Sequence, residues 1–195
     1  MHKYILVPSL AALALVVAGC GSSSGGGKST TAASPNVPEV SPAGDIPDTQ
    51  AFVAYAPPRG GFSVRVPEGW SRSTAGGATT FTDKLNAIRL ETVPASGALT
   101  VRDARQSELP KLAKTVKGYR PGTVTTVTRK AGPAVKLTYL AGAPADPVTG
   151  KSRVNAVERY VFFKNGKDVT LTLSGPKGAD NLDPWRIVTD SVTFR

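Results

Sequence analysis

The chain has 195 residues, with 24 Lys and Arg against 14 Asp and Glu, a formal charge of +10 at pH 7. Its single cysteine, Cys20, excludes a disulfide framework and an intramolecular cysteine metal cage. Its single histidine, His2, lies in a segment expected to be removed, which excludes every imidazole-based nucleophile or metal site from the mature chain.

Residues 1–19 read as an address. A basic start at Lys3 leads into Ile5-Leu6-Val7 and then Leu10 to Val17, interrupted by Pro8 and Ser9. The run is shorter than the ~20 residues of a membrane span and no basic stop-transfer cluster follows it. It ends Val17-Ala18-Gly19-Cys20, an aliphatic residue, two small residues and a cysteine. Small residues let a peptidase close around an extended backbone. The stretch resembles the lipobox of bacterial lipoproteins, which implies lipid on the Cys20 sulfur and cleavage just before it. A diacylglyceryl group has two chains, the number needed for stable anchoring at about 0.8 kcal/mol per buried methylene. The expected location is therefore extracytoplasmic, lipid-anchored to the outer face of the bacterial cell membrane.

Residues 20–50 comprise the lipidated cysteine and a tether. Gly, Ser, Thr, Ala and Pro make up most of the tether, and its sizeable apolar side chains are Val37, Val40 and Ile46. Such a composition buries too little surface to offset its ordering entropy, so disorder is expected to Gln50. Gly27-Lys28-Ser29 invites a phosphate-loop reading, but the motif needs a glycine where Ser22 stands.

Residues 51–195 form the globular domain and carry all but two of the basic residues and all but three of the acidic ones. The dominant period is two. Phe62, Val64 and Val66 alternate with polar residues, as do Ile88 and Leu90, Val135, Leu137 and Tyr139, and Val169, Leu171 and Leu173. Clean alternation marks antiparallel strands with one wetter face. Val154 to Phe163 is a further strand, and Asn165-Gly166 suits a tight turn into the next. Thr79–Asp83 and Thr123–Lys130 read as shorter or edge strands. Thr100 to Asp103 has capping-box spacing ahead of a helical pattern through Val116, which Pro110 should kink or restart after Ser107. A C-terminal helix is expected with Asp183 as cap, Pro184 in its first turn, and Trp185, Val188 and Val192 as its stripe. The fold class expected is α+β, an antiparallel sheet flanked by helices.

Gly61-Phe62-Ser-Val-Arg-Val-Pro67-Glu-Gly-Trp70 and the closing segment Asp183 to Phe194 resemble the opening and ending of the PsbP-like family. Similar domains occur in actinobacterial lipoproteins of the LpqN type. The resemblance spans roughly residues 52–195 and implies a PsbP-like α/β/α sandwich. It implies binding or assembly rather than catalysis, and it carries over no functional position.

The candidate contact residues are few. Arg65, Arg89, Lys136 and Arg159 sit on polar strand positions; cross-strand pairing with Glu91, Glu158 or Asp168 is their expected fate, and one shared basic face the alternative. Trp70 and Trp185 are of a size that fills a core, with a cleft platform for sugar or lipid as the other role open to each. Tyr119 sits in an expected turn, Gly118 to Gly122, and is the aromatic expected to be better exposed. Lys111, Lys114 and Lys117 mark an outward helix face. Carboxylates are the acid–base groups left, and Asp83, Glu91, Asp103 and Glu158 show no paired spacing. The Ser107 to Lys111 stretch also lacks Ser-x-x-Lys spacing.

The reading is thus a non-enzymatic binding or assembly module of the cell envelope, with a carboxylate-dependent hydrolase of envelope polymers as the alternative. No catalytic residue, metal or cofactor is expected beyond the diacylglycerol and palmitate-type acyl chains on Cys20. The expected partners are the membrane, through the anchor, and an envelope protein, amphiphile or anionic wall polymer. Nucleic acid is not expected, and the chain should be a monomer.

Overall fold

The computed structural model describes residues 42–58, 60–145 and 149–195, all within one compact unit, Glu39–Arg195. The leader, the lipobox and Cys20 lie outside the described residues. Ten strands occur among them: β1 (Phe52–Tyr55), β2 (Phe62–Pro67), β3 (Ser71–Ala75), β4 (Ala78–Asp83), β5 (Asn86–Pro94), β6 (Arg120–Arg129), β7 (Gly132–Ala143), β8 (Arg153–Lys164), β9 (Lys167–Pro176) and β10 (Thr193–Phe194). Helices α1 (Val101–Asp103) and α2 (Leu109–Thr115) flank a π-helical turn at Ala104–Glu108, and α3 (Leu182–Asp190) precedes β10.

Seven strands form one antiparallel sheet in the order β3-β4-β5-β9-β8-β7-β6, and β1-β2-β10 form a second of three strands. Alternation divides the large sheet into two apolar faces. Ile88, Leu90, Tyr160, Phe162, Val169, Leu171 and Leu173 meet Phe62, Val64 and Val66 of β2 and Trp185 and Val188 of α3. On the other face Val135, Leu137, Tyr139, Val157 and Val161 meet Ala104 and Leu112 of the long helix. Helices therefore cover both faces, with α3 sharing its layer with the small sheet. The Asn165-Gly166 turn forms as its sequence demands, with φ of 50° and 71°.

Pro110 marks the expected restart close to Ser107: the π-helical turn ends at Glu108 and α2 opens at Leu109, with Pro110 in its first turn. Lacking an N–H for the Gln106 carbonyl, it is accommodated by a wider turn in which the Leu109 N–H reaches the Ala104 carbonyl. Two expectations change. Thr79–Asp83 is no edge strand, because β3 pairs outside β4; all five β3 residues are exposed, so no alternation betrays it. The N-cap of α3 is Asn181 rather than Asp183, and the Asn181 side chain is engaged elsewhere.

That engagement overturns the tether boundary at Gln50. Ile46 is buried at 4% exposure within the core beneath α3, and its N–H donates to Asn181 Oδ1 at 2.8 Å. The Gly44 carbonyl accepts from Asn86 Nδ2 at 3.0 Å and from Asn181 Nδ2 at 2.9 Å. Both amides crowd over Gly175, where a Cβ would collide with Asn86 Oδ1. One buried isoleucine and a satisfied backbone outweigh the weak composition of the segment. In residues 39–195, Ile46→Ala should lower stability in urea titration by about 2 kcal/mol. Leu182→Ala, at 67% exposure, should change it by less than about 0.5 kcal/mol.

Candidate functional site

Antiparallel pairing brings the β6–β7 and β8–β9 turns to the same end of the large sheet, where α3 and β10 also finish. The first turn holds Lys130 and the second is flanked by Lys164 and Lys167, which are register partners. A groove of about 880 Å³ opens there, with Arg65, Lys130, Lys164 and Arg186 around it. Its α3 wall is the stripe Asp183, Arg186, Ile187 and Asp190, while Pro184, Trp185, Val188 and Thr189 on the opposite stripe are buried. Ala131, Val192 and Phe194 supply apolar lining. A second hollow of about 170 Å³ shares Lys164 and Phe194 with it and adds Lys167 and Arg195.

All six of these cations are exposed. Arg65 donates to the Phe52 carbonyl at 2.8 Å, and Arg186 stands 3.5 Å from Asp190. Among the described residues Lys130, Lys164, Lys167 and Arg195 have no ion-pair partner. Clustered like charges repel in the free protein, so the arrangement favours an anion that enters the groove.

Three cations on the faces of the sheet are paired, whereas Lys84, Arg102, Lys114, Lys117, Arg120, Lys151 and Lys177, spread over the rest of the surface, have no ion-pair partner among the described residues. Arg89 and Arg159 share the sheet face under the long helix, and both meet Glu91, at 2.6 and 3.7 Å. Lys136 lies on the opposite face, against Glu158 and 5.4 Å from the centre of the Tyr160 ring. The four arginine and lysine positions singled out in the sequence therefore do not converge; only Arg65 reaches the groove. Trp70 is half-buried against the core, and the Tyr119 ring stands 5.6 Å from Tyr139 with its hydroxyl enclosed, so burial pushes its phenol up. Neither is an exposed platform. Sequence periodicity missed Lys130, Lys164, Lys167, Arg186 and Arg195; the signal available was hairpin parity, which sends alternate turns to one end.

Beneath α3 runs a polar network. Arg129 donates from Nε to Thr189 Oγ1 and from Nη2 to the Tyr160 hydroxyl, both at 3.0 Å, and stands 3.7 Å from Asp190. Tyr160 in turn donates to Glu158 at 2.6 Å. Burial pushes the Tyr160 phenol up, and its bond to Glu158 adds to that. Burial pulls the Lys136 ammonium down, yet contact with Glu158 raises it by more, leaving it above its ordinary value.

The acids do not form a catalytic pair. Glu91 and Glu158 are held by cations, and Asp190 lies between Arg129 and Arg186. Burial first, and the Glu108 charge second, push Asp168 up, but Asp168 faces the long helix, across the sheet from α3, and Glu108 is bound to Lys111 at 2.9 Å. No group of three or more His, Cys, Asp or Glu suited to a metal occurs among the described residues.

No family model and no curated protein matches the chain. Among solved structures, the cyanobacterial PsbP (CyanoP) of Synechocystis sp. PCC 6803 superposes with a TM-score of 0.52 at 14% identity, covering 78% of this chain and 99% of that one. The fold is PsbP-like. A structure from Bacteroides thetaiotaomicron VPI-5482 matches at TM-score 0.49 and 14% identity over 73% of this chain, which spans 48% of that longer protein. LpqN of Mycobacterium tuberculosis, described as involved in cell envelope biogenesis, matches at TM-score 0.39 and 15% identity over 75% of this chain and 85% of its own. The PsbP-like architecture places α3 and the closing strand beside the basic groove.

The network under α3 should show in the alkaline limb of stability. The fold favours the protonated forms of Lys136 and Tyr160, so their contribution is complete below the unfolded values of 10.5 and 10.0. It is lost as pH rises through the raised folded values. Thermal melts at pH 7, 9 and 11 should fall only in the last step. Tyr160→Phe should cost about 1–2 kcal/mol at pH 7 and flatten the alkaline loss.

Proposed function

We propose that this chain is a lipid-anchored, non-enzymatic binding module on the outer face of a bacterial cell membrane. The observation that carries the reading is the sequence Val17-Ala18-Gly19-Cys20 at the end of a short apolar run. A thioether-linked diacylglycerol on Cys20 would supply two chains and hold the domain without a spanning helix. The non-enzymatic half is supported by the disposition of the acids, since of the two that line the groove Asp190 is held by Arg129 and Arg186 and Asp183 stands without a second free carboxylate, and by a mature chain without imidazole. Binding is supported by the groove, whose exposed cations surround an apolar lining and whose walls come from four separate parts of the fold. The PsbP-like architecture is compatible with such a role and names no ligand.

In cells, Cys20→Ala should leave the leader uncleaved by the lipoprotein peptidase and abolish labelling by an alkyne fatty acid. Globomycin should cause the unaltered protein to accumulate as a precursor. Full labelling of the variant, or processing indifferent to globomycin, would overturn the anchoring.

A further inference from the structure

The groove carries an inference about its occupant. Six exposed cations, Arg65, Lys130, Lys164, Lys167, Arg186 and Arg195, border two hollows that share Lys164 and Phe194. Two acids lie among them, and Asp190 is already engaged by Arg129 and Arg186. The charge is therefore unbalanced where the surface is concave. Between the cations the lining is apolar: Ile187 is 43% exposed, and Ala131, Val192 and Phe194 continue from it. A purely hydrophilic polyanion would leave Ile187 and the exposed parts of Ala131 and Phe194 in water, over the buried Val192. An interfacial surface combines the two features, with cations at phosphate level and an apolar residue entering the acyl boundary.

We propose that this end of the domain is a second membrane contact, docking on anionic phospholipid headgroups with Lys130, Lys164, Lys167 and Arg186 at the phosphates and Ile187 beneath them. The contact is weak and reversible. Each cation near an anionic surface contributes about 1 kcal/mol, and the attraction fades beyond about 8 Å at physiological salt. The inference rests on the anchored-module reading for the presence of a membrane, but its chemistry stands apart from Cys20.

The test uses residues 39–195, the compact unit that holds both apolar cores and contains neither the leader nor Cys20. Vesicles of phosphatidylglycerol and of phosphatidylcholine are compared in co-sedimentation at low salt and at 0.3 M salt, a strength chosen to shorten the Debye length. Binding to the anionic vesicles alone, most of it lost at the higher salt, is expected. Lys130→Glu with Lys164→Glu should lower that binding at least about tenfold. The same charge change at Lys111 and Lys114, on the long helix, should lower it by less than about threefold. Near-UV circular dichroism matching the parent keeps the comparison free of misfolding. Ile187→Ser should lower the binding without altering its salt dependence.

Equal loss from both charge reversals would reduce the effect to net charge and overturn the site. Binding to both vesicle types, or to neither, would overturn the proposal. Binding to soluble polyphosphate without binding to vesicles would assign the groove to a wall-type polyanion and overturn the lipid occupant. Because Cys20 is absent from this protein, a failed vesicle assay leaves the lipidation result in cells untouched, and the reverse also holds.

Discussion

Arg129 is the tie on which the functional end of the molecule depends. It closes β6, an edge strand, and its guanidinium reaches Thr189, Tyr160 and Asp190 at once. Those three partners belong to α3 and to the centre of the sheet. The bond to Thr189 matters most for shape, because Thr189 is fully buried and also donates to the Trp185 carbonyl. A partly buried cation that loses one partner leaves the others uncompensated, so the cluster holds as a unit. With α3 fixed in this way, its outward stripe becomes one wall of the groove. The opposite end of α3 is held by Asn181, which joins Ile46, Gly44 and Asn86. The wall is thus pinned at both ends by polar contacts and along its length by Trp185 and Val188.

The distribution of charge follows the topology. On the sheet faces Glu91 takes Arg89 and Arg159, and Glu158 takes Lys136. At the hairpin turns no neighbouring strand supplies a partner. Lys130, Lys164 and Lys167 therefore remain free, and sheet parity gathers them at one end. A basic surface arises there with no basic run in the sequence. It also explains why four cations chosen for their strand positions gave one groove residue: alternation sends Lys136 to one face and Arg89 and Arg159 to the other.

Those residues show where sequence reading succeeds. Strands β2, β5, β7 and β9 were legible because their large apolar side chains recur on one face with period two, and β8 because it is rich in apolar residues and feeds both cores. The Asn165-Gly166 turn was legible because two successive positive φ angles leave few residue choices. Strand β3 left no trace, since every residue from Ser71 to Ala75 is exposed and buries no apolar face. The Pro42–Gln50 segment was hidden for the opposite reason. Its composition describes a coil, and a single side chain, Ile46, decides that it docks. The fold and its closing helix were thus readable from local pattern and motif. The groove was not, because its members are joined only by the way the turns assemble.

The docking of that segment also has a mechanical consequence. Ile46 and Gly44 attach beside Pro176, at the close of β9, whereas Lys167 opens β9 in the basic end. Ten residues of extended strand separate them, a distance of about 30 Å. Along the chain from Pro42, the contacts come in the order Gly44 with Asn86 and Asn181, Asp45 with Asp180, and then Ile46 with Asn181. Releasing Pro42 to Gln50 would lengthen the leash by about 30 Å while α3 and the far end stay in place.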